Sequence, residues 1–266
     1  MNEMIAIIDF GGQYSQVIAR KVRECHVYCE VFSWKTPAEV ITEKKPSGII
    51  LSGGPSSVYE EGAPTMDPAL LNGSVPVLGI CYGCQLMMKL CGGVVAAAEE
   101  NDGREYGRTL THFKTDCPLF RDLPEEGITW MSHGDYVREI PTGFHSCAET
   151  DHCPSAGIWN EEKRLYGLQF HPEVHHTENG SSMLQRFLFD ICGVMGDWTM
   201  KGFRAEAVTR IRDQVGDSHV LLGLSGGVDS AVCAALIHEA IGDRLICLFI
   251  DHGLMRKDEG DEIETC

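Results

Sequence analysis

No apolar run in these 266 residues approaches the roughly 20 needed to cross a bilayer, which excludes a membrane-spanning helix. The N-terminus lacks a leader pattern too: Met-Asn-Glu-Met passes directly into Ile5-Ala6-Ile7-Ile8, with no basic segment and no small-residue cleavage site. A cytoplasmic location is therefore expected. Positive charge is scarce, with 22 Lys and Arg against 39 Asp and Glu and a formal net charge of −17. Such a chain repels phosphate backbones and anionic membranes, so nucleic-acid or membrane binding is excluded as its main task. A small anionic ligand held at one local site remains compatible. The twelve cysteines are scattered, and in a reducing compartment they read mostly as small apolar fillers. Cys25, His26 and Cys29 cluster, and Cys81 and Cys84 form one CxxC, but no second CxxC exists to complete a zinc site. There is no internal repeat and no low-complexity segment. What is present, 43% hydrophobic and 23% charged residues, suits a packed globular core.

Short β-branched runs alternate with amphipathic stretches and glycine-rich turns. Ile5–Asp9, Val27–Phe32, Gly48–Leu51 and Val75–Ile80 read as strands, with a helix over Ser15–Glu24. That rhythm predicts an α/β fold, a mostly parallel open sheet flanked by helices. From Thr109 to Gln169 the pattern turns hairpin-like, with strands at Ile128–Met131, Ala156–Trp159 and Tyr166–Gln169, and Met183–Ile191 closes the region as a helix. Cys192-Gly193-Val194-Met195-Gly196 interrupts the pattern and divides residues 1–195 from 196–266. The βαβ rhythm then restarts, with a helix over Phe203–Val215, a strand over His219–Leu224, a helix over Ala231–Ala240 and a strand over Leu245–Ile250. About 70 residues is less than the 100 or more typical of a doubly wound domain, so the second is expected to be the truncated N-terminal part of a larger one.

Gly79-Ile80-Cys81-Tyr82-Gly83 ends an apolar strand with a nucleophile flanked by glycines two residues away on each side. A side chain presented at a sharp strand-to-helix turn needs that room. The helix that follows directs its N-terminal amides at the thiol and favours the thiolate. The competing readings are a buried structural cysteine or a Cys81/Cys84 redox pair. Partners for catalysis lie in Gln169-Phe170-His171-Pro172-Glu173. Residues two apart in extended chain project to the same side, so His171 can act as general base with Glu173 orienting its ring. Alone, His171 would read as a structural histidine and Glu173 as a solvated charge. Ser52-Gly53-Gly54-Pro55 after a strand could bring backbone amides to a ligand oxygen, or form an ordinary turn. His175 and His176 have no assigned task and read as solvated loop residues.

SGGP at 52–55, GICYGCQ at 79–85, MSHGD at 131–135 and HPE at 171–173 occur in the order that resembles the class I glutamine amidotransferases. The resemblance covers residues 1 to about 195. It implies that glutamine is the substrate, that Cys81 forms a γ-glutamyl thioester, and that the amides of Gly54 and Tyr82 form the oxyanion hole. It also implies that Gln85, Ser132, His133 and Asp135 hold the glutamine, with no cofactor for its hydrolysis. Cys84 stands where the family pattern has Met; both are soft apolar fillers.

A second strand–loop–helix element is Leu224-Ser225-Gly226-Gly227-Val228-Asp229-Ser230-Ala231. Successive amides of a Ser/Gly loop at a helix N-terminus make an anion cradle, although no Lys precedes the final Ser as in a Walker A loop. Asp229 offers a carboxylate for Mg²⁺. The competing reading is a glycine-rich turn. SGGVDS resembles the PP-loop of the N-type ATP pyrophosphatases, which implies ATP binding by Ser225, Gly226, Gly227, Val228, Asp229, Ser230 and Ala231. An amidotransferase followed directly by a PP-loop is the domain order that resembles the glutamine-hydrolysing GMP synthetase family. Asp197-Trp198-Thr199 and Phe249-Ile250-Asp251-His252-Gly253-Leu254 add to that resemblance. It implies ATP, Mg²⁺ and XMP as ligands of a full-length enzyme, which would be a homodimer. Two rivals are a catalytically silent glutamine- or nucleotide-sensing module and another class I amidotransferase subunit.

Overall fold

The computed structural model describes residues 3–97 and 104–250. It divides into two compact units, Met1–Asp197 and Trp198–Cys266.

The first unit opens β1 (Met4–Asp9), α1 (Ser15–Glu24), β2 (Tyr28–Ser33), α2 (Ala38–Glu43), β3 (Gly48–Leu51), β4 (Val77–Ile80) and α3 (Tyr82–Leu90). It continues β5 (Val94–Ala97), β6 (Glu105–Phe113), β7 (Glu126–His133), β8 (Asp135–Glu139), β9 (His145–Glu149), β10 (Gly157–Asn160), β11 (Leu165–Leu168) and α4 (Gly180–Gln185). Nine strands form one sheet in the order β2-β1-β3-β4-β11-β10-β9-β6-β7. The sheet is parallel from β2 to β11 and antiparallel beyond, while β5 and β8 pair in a separate antiparallel ribbon.

Strand periodicity explains why the parallel part reads as continuous apolar runs. In β1, Ile5 and Ile7 pack with Ile18 and Val22 of α1, whereas Ala6 and Ile8 join the opposite cluster with Ile41 of α2 and Met87 of α3. Each face is covered, so both sets of side chains must be apolar. The helix expected over Met183–Ile191 is α4 followed by a π-helical turn over Arg186–Ile191. Its Leu184, Phe187 and Leu188 are buried against the face that carries α1.

The second unit runs α5 (Met200–Val215), β12 (Val220–Leu224), α6 (Val228–Ile241) and β13 (Leu245–Phe249), with β12 and β13 parallel. The Thr199 hydroxyl caps α5 by accepting from Gly202 N at 3.1 Å, so that helix begins before the Phe203 expected from its apolar residues. Similarly α6 starts at Val228, which puts Val228, Asp229 and Ser230 in its first turn. Val208, Ala240 and Ile241 form a small core, while Leu221, Ile246 and Leu248 of the two strands are exposed. Among the described residues no helix is long and apolar enough to cross a membrane. The 251–254 part of the second junction motif lies outside the described residues.

Candidate active site

Cys81 sits between the end of β4 and the start of α3 with φ 52° and ψ −111°. A non-glycine residue in that region stores about 1–3 kcal/mol and persists only where its surroundings enforce it. Here they do: Cys81 N donates to Leu168 O at 2.7 Å on β11, and Cys81 O accepts from Gln85 N at 3.0 Å in α3. Gly83 permits the turn because a Cβ there would lie 2.5 Å from Leu51 O. Cys84 is completely buried and burial pushes its thiol well up, which disfavours a redox partnership with Cys81.

Past β11 the chain bends at Gln169 and Phe170 and turns at Pro172 and Glu173, so His171 and Glu173 meet through a turn and not through the extended chain expected; Gln169, Phe170, His171 and Glu173 are all buried. His171 N donates to Trp130 O at 3.0 Å and the Thr177 hydroxyl donates to His171 O at 2.6 Å. Glu173 Oε1 lies 2.8 Å from His171 Nδ1, and both side chains are buried. The other ring nitrogen is left for Cys81, whose proximity contributes to the raised imidazole. Burial opposes a charge on His171, but the Cys81 and Glu173 partners outweigh it and push the imidazole up to about 10. The Tyr14 ring meets it edge-on at 5.1 Å between centroids.

Gly54 lies against Tyr82: a Cβ on it would come within 3.1 Å of the Tyr82 ring. The segment is fixed by Ser52, whose N donates to Ile8 O at 3.0 Å and whose hydroxyl accepts from Phe10 N at 3.1 Å. Gly53 comes closest to the chemistry, since a Cβ there would stand 3.2 Å from His171 Cε1 and 3.8 Å from Cys81 Cβ.

Ser132 O is 3.8 Å from the Cys81 sulfur, with its side chain exposed. Gln85 is buried and its Nε2 donates to Asp135 O at 2.8 Å. The Asp135 carboxylate accepts from the hydroxyls of Ser57 and, at 2.8 Å, Tyr59. The His133 ring is turned away from this surface. It is buried, and Nε2 pairs with Glu105 Oε2 at 3.2 Å across the β6–β7 register. Thr150 donates to the other Glu105 oxygen at 2.7 Å. Glu105, His133 and Cys153 place potential metal-ligand atoms within 4.8 Å of one another. Both carboxylate oxygens are already engaged, however, and burial, aided by the Glu105 charge and opposed by the Ser155 backbone, pushes Cys153 up to about 12. A protonated thiol is a poor ligand, so this cluster fits a buried polar network centred on Glu105, in which His133 Nδ1 is left without a hydrogen-bond partner.

The sequence reading left out Tyr14, Ser57, Tyr59 and Gln169. Gln169 had a usable signal, its two-residue offset from His171. Ser57 and Tyr59 had none, because loop hydroxyls reach Asp135 only through the fold. His175 and His176 are exposed, with His176 stacked on Trp130 at 4.4 Å.

In the second unit, Gly226 takes φ +78°, and Ser230 Oγ donates to Gly227 O at 2.9 Å while lying 3.1 Å from Ser225 Oγ. The amides of Val228, Asp229 and Ser230 open α6, where a helix has no internal acceptors. The Asp229 carboxylate is exposed in that first turn. This arrangement fits a phosphate with an accompanying cation.

Residues 6–191 match the family model described as glutamine amidotransferase class-I, and residues 204–263 match that described as NAD synthase. The chain is 51% identical over 263 residues to the glutamine-hydrolyzing GMP synthase of Acetivibrio thermocellus, and 53% identical over 263 residues to that of Clostridium tetani. Each alignment covers 99% of this chain and 51% of the relative, so the chain spans about half the length of these curated relatives. Among solved structures, a putative GMP synthase subunit from Thermoplasma acidophilum superposes with a TM-score of 0.64 and 28% identity, covering 72% of this chain and 94% of that one. A glutamine amidotransferase from Thermotoga maritima shares the fold with a TM-score of 0.53 and 20% identity, covering 79% of this chain and 86% of that one.

Proposed function

We propose glutamine hydrolysis at Cys81 from the premise that this chain belongs to the class-I glutamine amidotransferase family. The observation that carries the reading is His171, gripped by Glu173 at 2.8 Å on one ring nitrogen, beside Gly53 at the turn that presents Cys81. His171, whose ring is held by Glu173, is placed to take the Cys81 proton as general base and to keep it while the sulfur reacts. The sulfur attacks the side-chain carboxamide carbon, and the Gly54 and Tyr82 amides receive the developing oxyanion. His171 gives its proton to the departing nitrogen, which leaves as ammonia with formation of a γ-glutamyl thioester. The neutral imidazole then takes a proton from water, whose oxygen attacks the thioester and releases glutamate and the sulfur. Gln85, Ser132 and Asp135 line the glutamine side, and His133 supports them by anchoring their segment to Glu105. The test is glutamine turnover with equal release of glutamate and ammonia, coupled to mass mapping of a glutamine-analogue alkylator. An adduct on another residue would overturn the assignment of Cys81.

Glu173→Gln probes the base directly. The carboxylate raises His171, so the variant's alkaline limb of kcat/KM should move down from near 10 toward the ordinary 6.5. At neutral pH the rate should fall by about 10²-fold or more. The raised value also stabilises the fold below pH 6.5, and that contribution fades as pH rises through about 10. An alkaline limb that stays in place in pH–rate profiles would remove Glu173 from this role.

In the longer protein that the matching GMP synthases suggest, the ammonia aminates XMP to GMP. Ser225, Gly226, Gly227, Val228, Asp229, Ser230 and Ala231 would hold ATP phosphate, with Asp229 on Mg²⁺. Bound ATP supplies the adenylyl group that turns the XMP oxygen into a leaving group. The exposed Leu221, Ile246 and Leu248 support a larger domain, because parallel strands are normally covered on both faces. A homodimeric, cytoplasmic enzyme belongs to the same proposal. Asp229→Asn should weaken Mg²⁺-dependent ATP binding by about tenfold, the loss of one charge-assisted contact. Calorimetric titration of Mg²⁺·ATP into both forms checks this, and equal affinities would refute it.

A further inference from the structure

The sulfur of Cys81 has a neighbour to which the chemistry above gives no task. Gln169 Nε2 lies 3.8 Å from Cys81 Sγ, and Gln169 is completely buried. Which end of this amide faces the sulfur follows from its surroundings. Asp135 O is a carbonyl and can only accept, so the Gln85 atom 2.8 Å away is the NH₂ nitrogen. That nitrogen also lies 3.1 Å from Gln169, which must present its oxygen there. The nitrogen of Gln169 is thereby aimed at Cys81. The Gln169 backbone is tied down as well, its N donating to Ala156 O at 2.8 Å.

We propose that Gln169 is a further catalytic residue, an amide that donates N–H to the Cys81 sulfur and is locked in that orientation by Gln85 and the Asp135 carbonyl. The proposal rests on Cys81 being the nucleophile. A donor aimed at sulfur stabilises the thiolate over the thiol, because a hydrogen bond strengthens when its acceptor carries charge. A buried amide also keeps that bond free of competition from water. The other groups facing the sulfur or its partners are His171 with Glu173 behind it, the neutral Ser132 carbonyl, Cys84 on α3 and Tyr14 against the imidazole. Of these, His171 is the cationic partner and Gln169 the neutral donor. The asparagine side chain is one carbon shorter and cannot span both Gln85 and Cys81.

The test is the rate of Cys81 alkylation by iodoacetamide, followed by peptide mass spectrometry across pH in the whole chain. This reaction needs no glutamine, so it stands apart from the question of which amide the enzyme hydrolyses. Gln169→Glu keeps the shape and replaces the donor with an acceptor; Gln169→Met removes the polar group. In both, alkylation at neutral pH should slow about tenfold and its pH dependence should move to higher pH, the loss of one hydrogen bond to a charged acceptor. Glutamine hydrolysis should lose kcat with KM little changed. Gln85→Met, which frees the Gln169 amide to turn over, should shift alkylation in the same direction by less. An unchanged pH dependence in folded Gln169→Glu or Gln169→Met would overturn the proposal, as would one unchanged in Gln85→Met if both Gln169 variants fail to fold.

Discussion

Cys81→Ala is expected to reduce glutamine hydrolysis by about 10⁴-fold or more, the scale seen when the nucleophile of a catalytic triad is removed. Among the described residues, neither neighbouring thiol nor hydroxyl offers a replacement. Cys84 is the adjacent thiol, but it is completely buried and held protonated. The Ser52 hydroxyl is committed to Phe10 N at 3.1 Å and to Gly53 O at 2.9 Å. The same substitution should leave the fold intact, because alanine still fits the turn. Cys81→Gly separates the two properties more sharply. Glycine occupies φ 52° without strain, so this variant should be equally inactive yet more stable by about 1 kcal/mol. Ammonia release together with thermal unfolding of both variants measures each effect. Residual hydrolysis within tenfold of the unsubstituted chain would exclude Cys81 as the nucleophile.

Gly83→Ala should be among the most destabilising single-methyl additions in the first unit. The new Cβ would lie 2.5 Å from Leu51 O, 2.6 Å from Leu51 Cβ and 2.8 Å from Leu51 C, all in a fully buried central strand. β3 cannot yield because it pairs with β1 on one side and β4 on the other. The helix α3 must retreat instead, breaking the bond from Gly83 N to Ser52 O at 3.0 Å. A loss of about 2–4 kcal/mol follows, or roughly 10 °C in Tm for a unit of this size. Activity should fall beyond what unfolding explains, because the displaced helix carries the Tyr82 amide. Calorimetry beside a glutaminase assay below the transition distinguishes the two. A variant with unchanged Tm would mean that α3 moves freely against β3.

The parts of the fold legible in the chain are those that bury both faces. β1, β3 and β4 are continuous apolar runs, and no other environment suits Met-Ile-Ala-Ile-Ile or Gly-Ile-Ile-Leu. β6 escaped notice because its exposed Tyr106, Arg108 and Leu110 alternate with Thr109, Thr111 and the single buried acid Glu105. That acid is unreadable alone; it makes sense only opposite His133, a pairing the β6–β7 register creates. For the same reason MSHGD suggested a histidine in contact with substrate, whereas the ring faces inward and the segment meets the nucleophile through the Ser132 carbonyl. The Cys81, His171 and Glu173 grouping was legible because Cys81 directly follows one central strand and the HPE run closely follows its neighbour, although a turn, and not the two-residue spacing of extended chain, brings His171 and Glu173 together. The Asp135 contacts with Ser57 and Tyr59 were not, since their positions along the chain carry no period.

β4 and β11 are hydrogen-bonded neighbours, registered from Val77 with Leu165 to Ile80 with Leu168. The nucleophile is therefore the next step on one rail of a track and the base lies three residues past the end of the other, with the sheet itself as the gauge between them. Loosening that gauge would mean splitting the centre of the molecule. Any tuning of turnover has to work through the segments at the trackside, 52–59 and 132–135, leaving the rails alone.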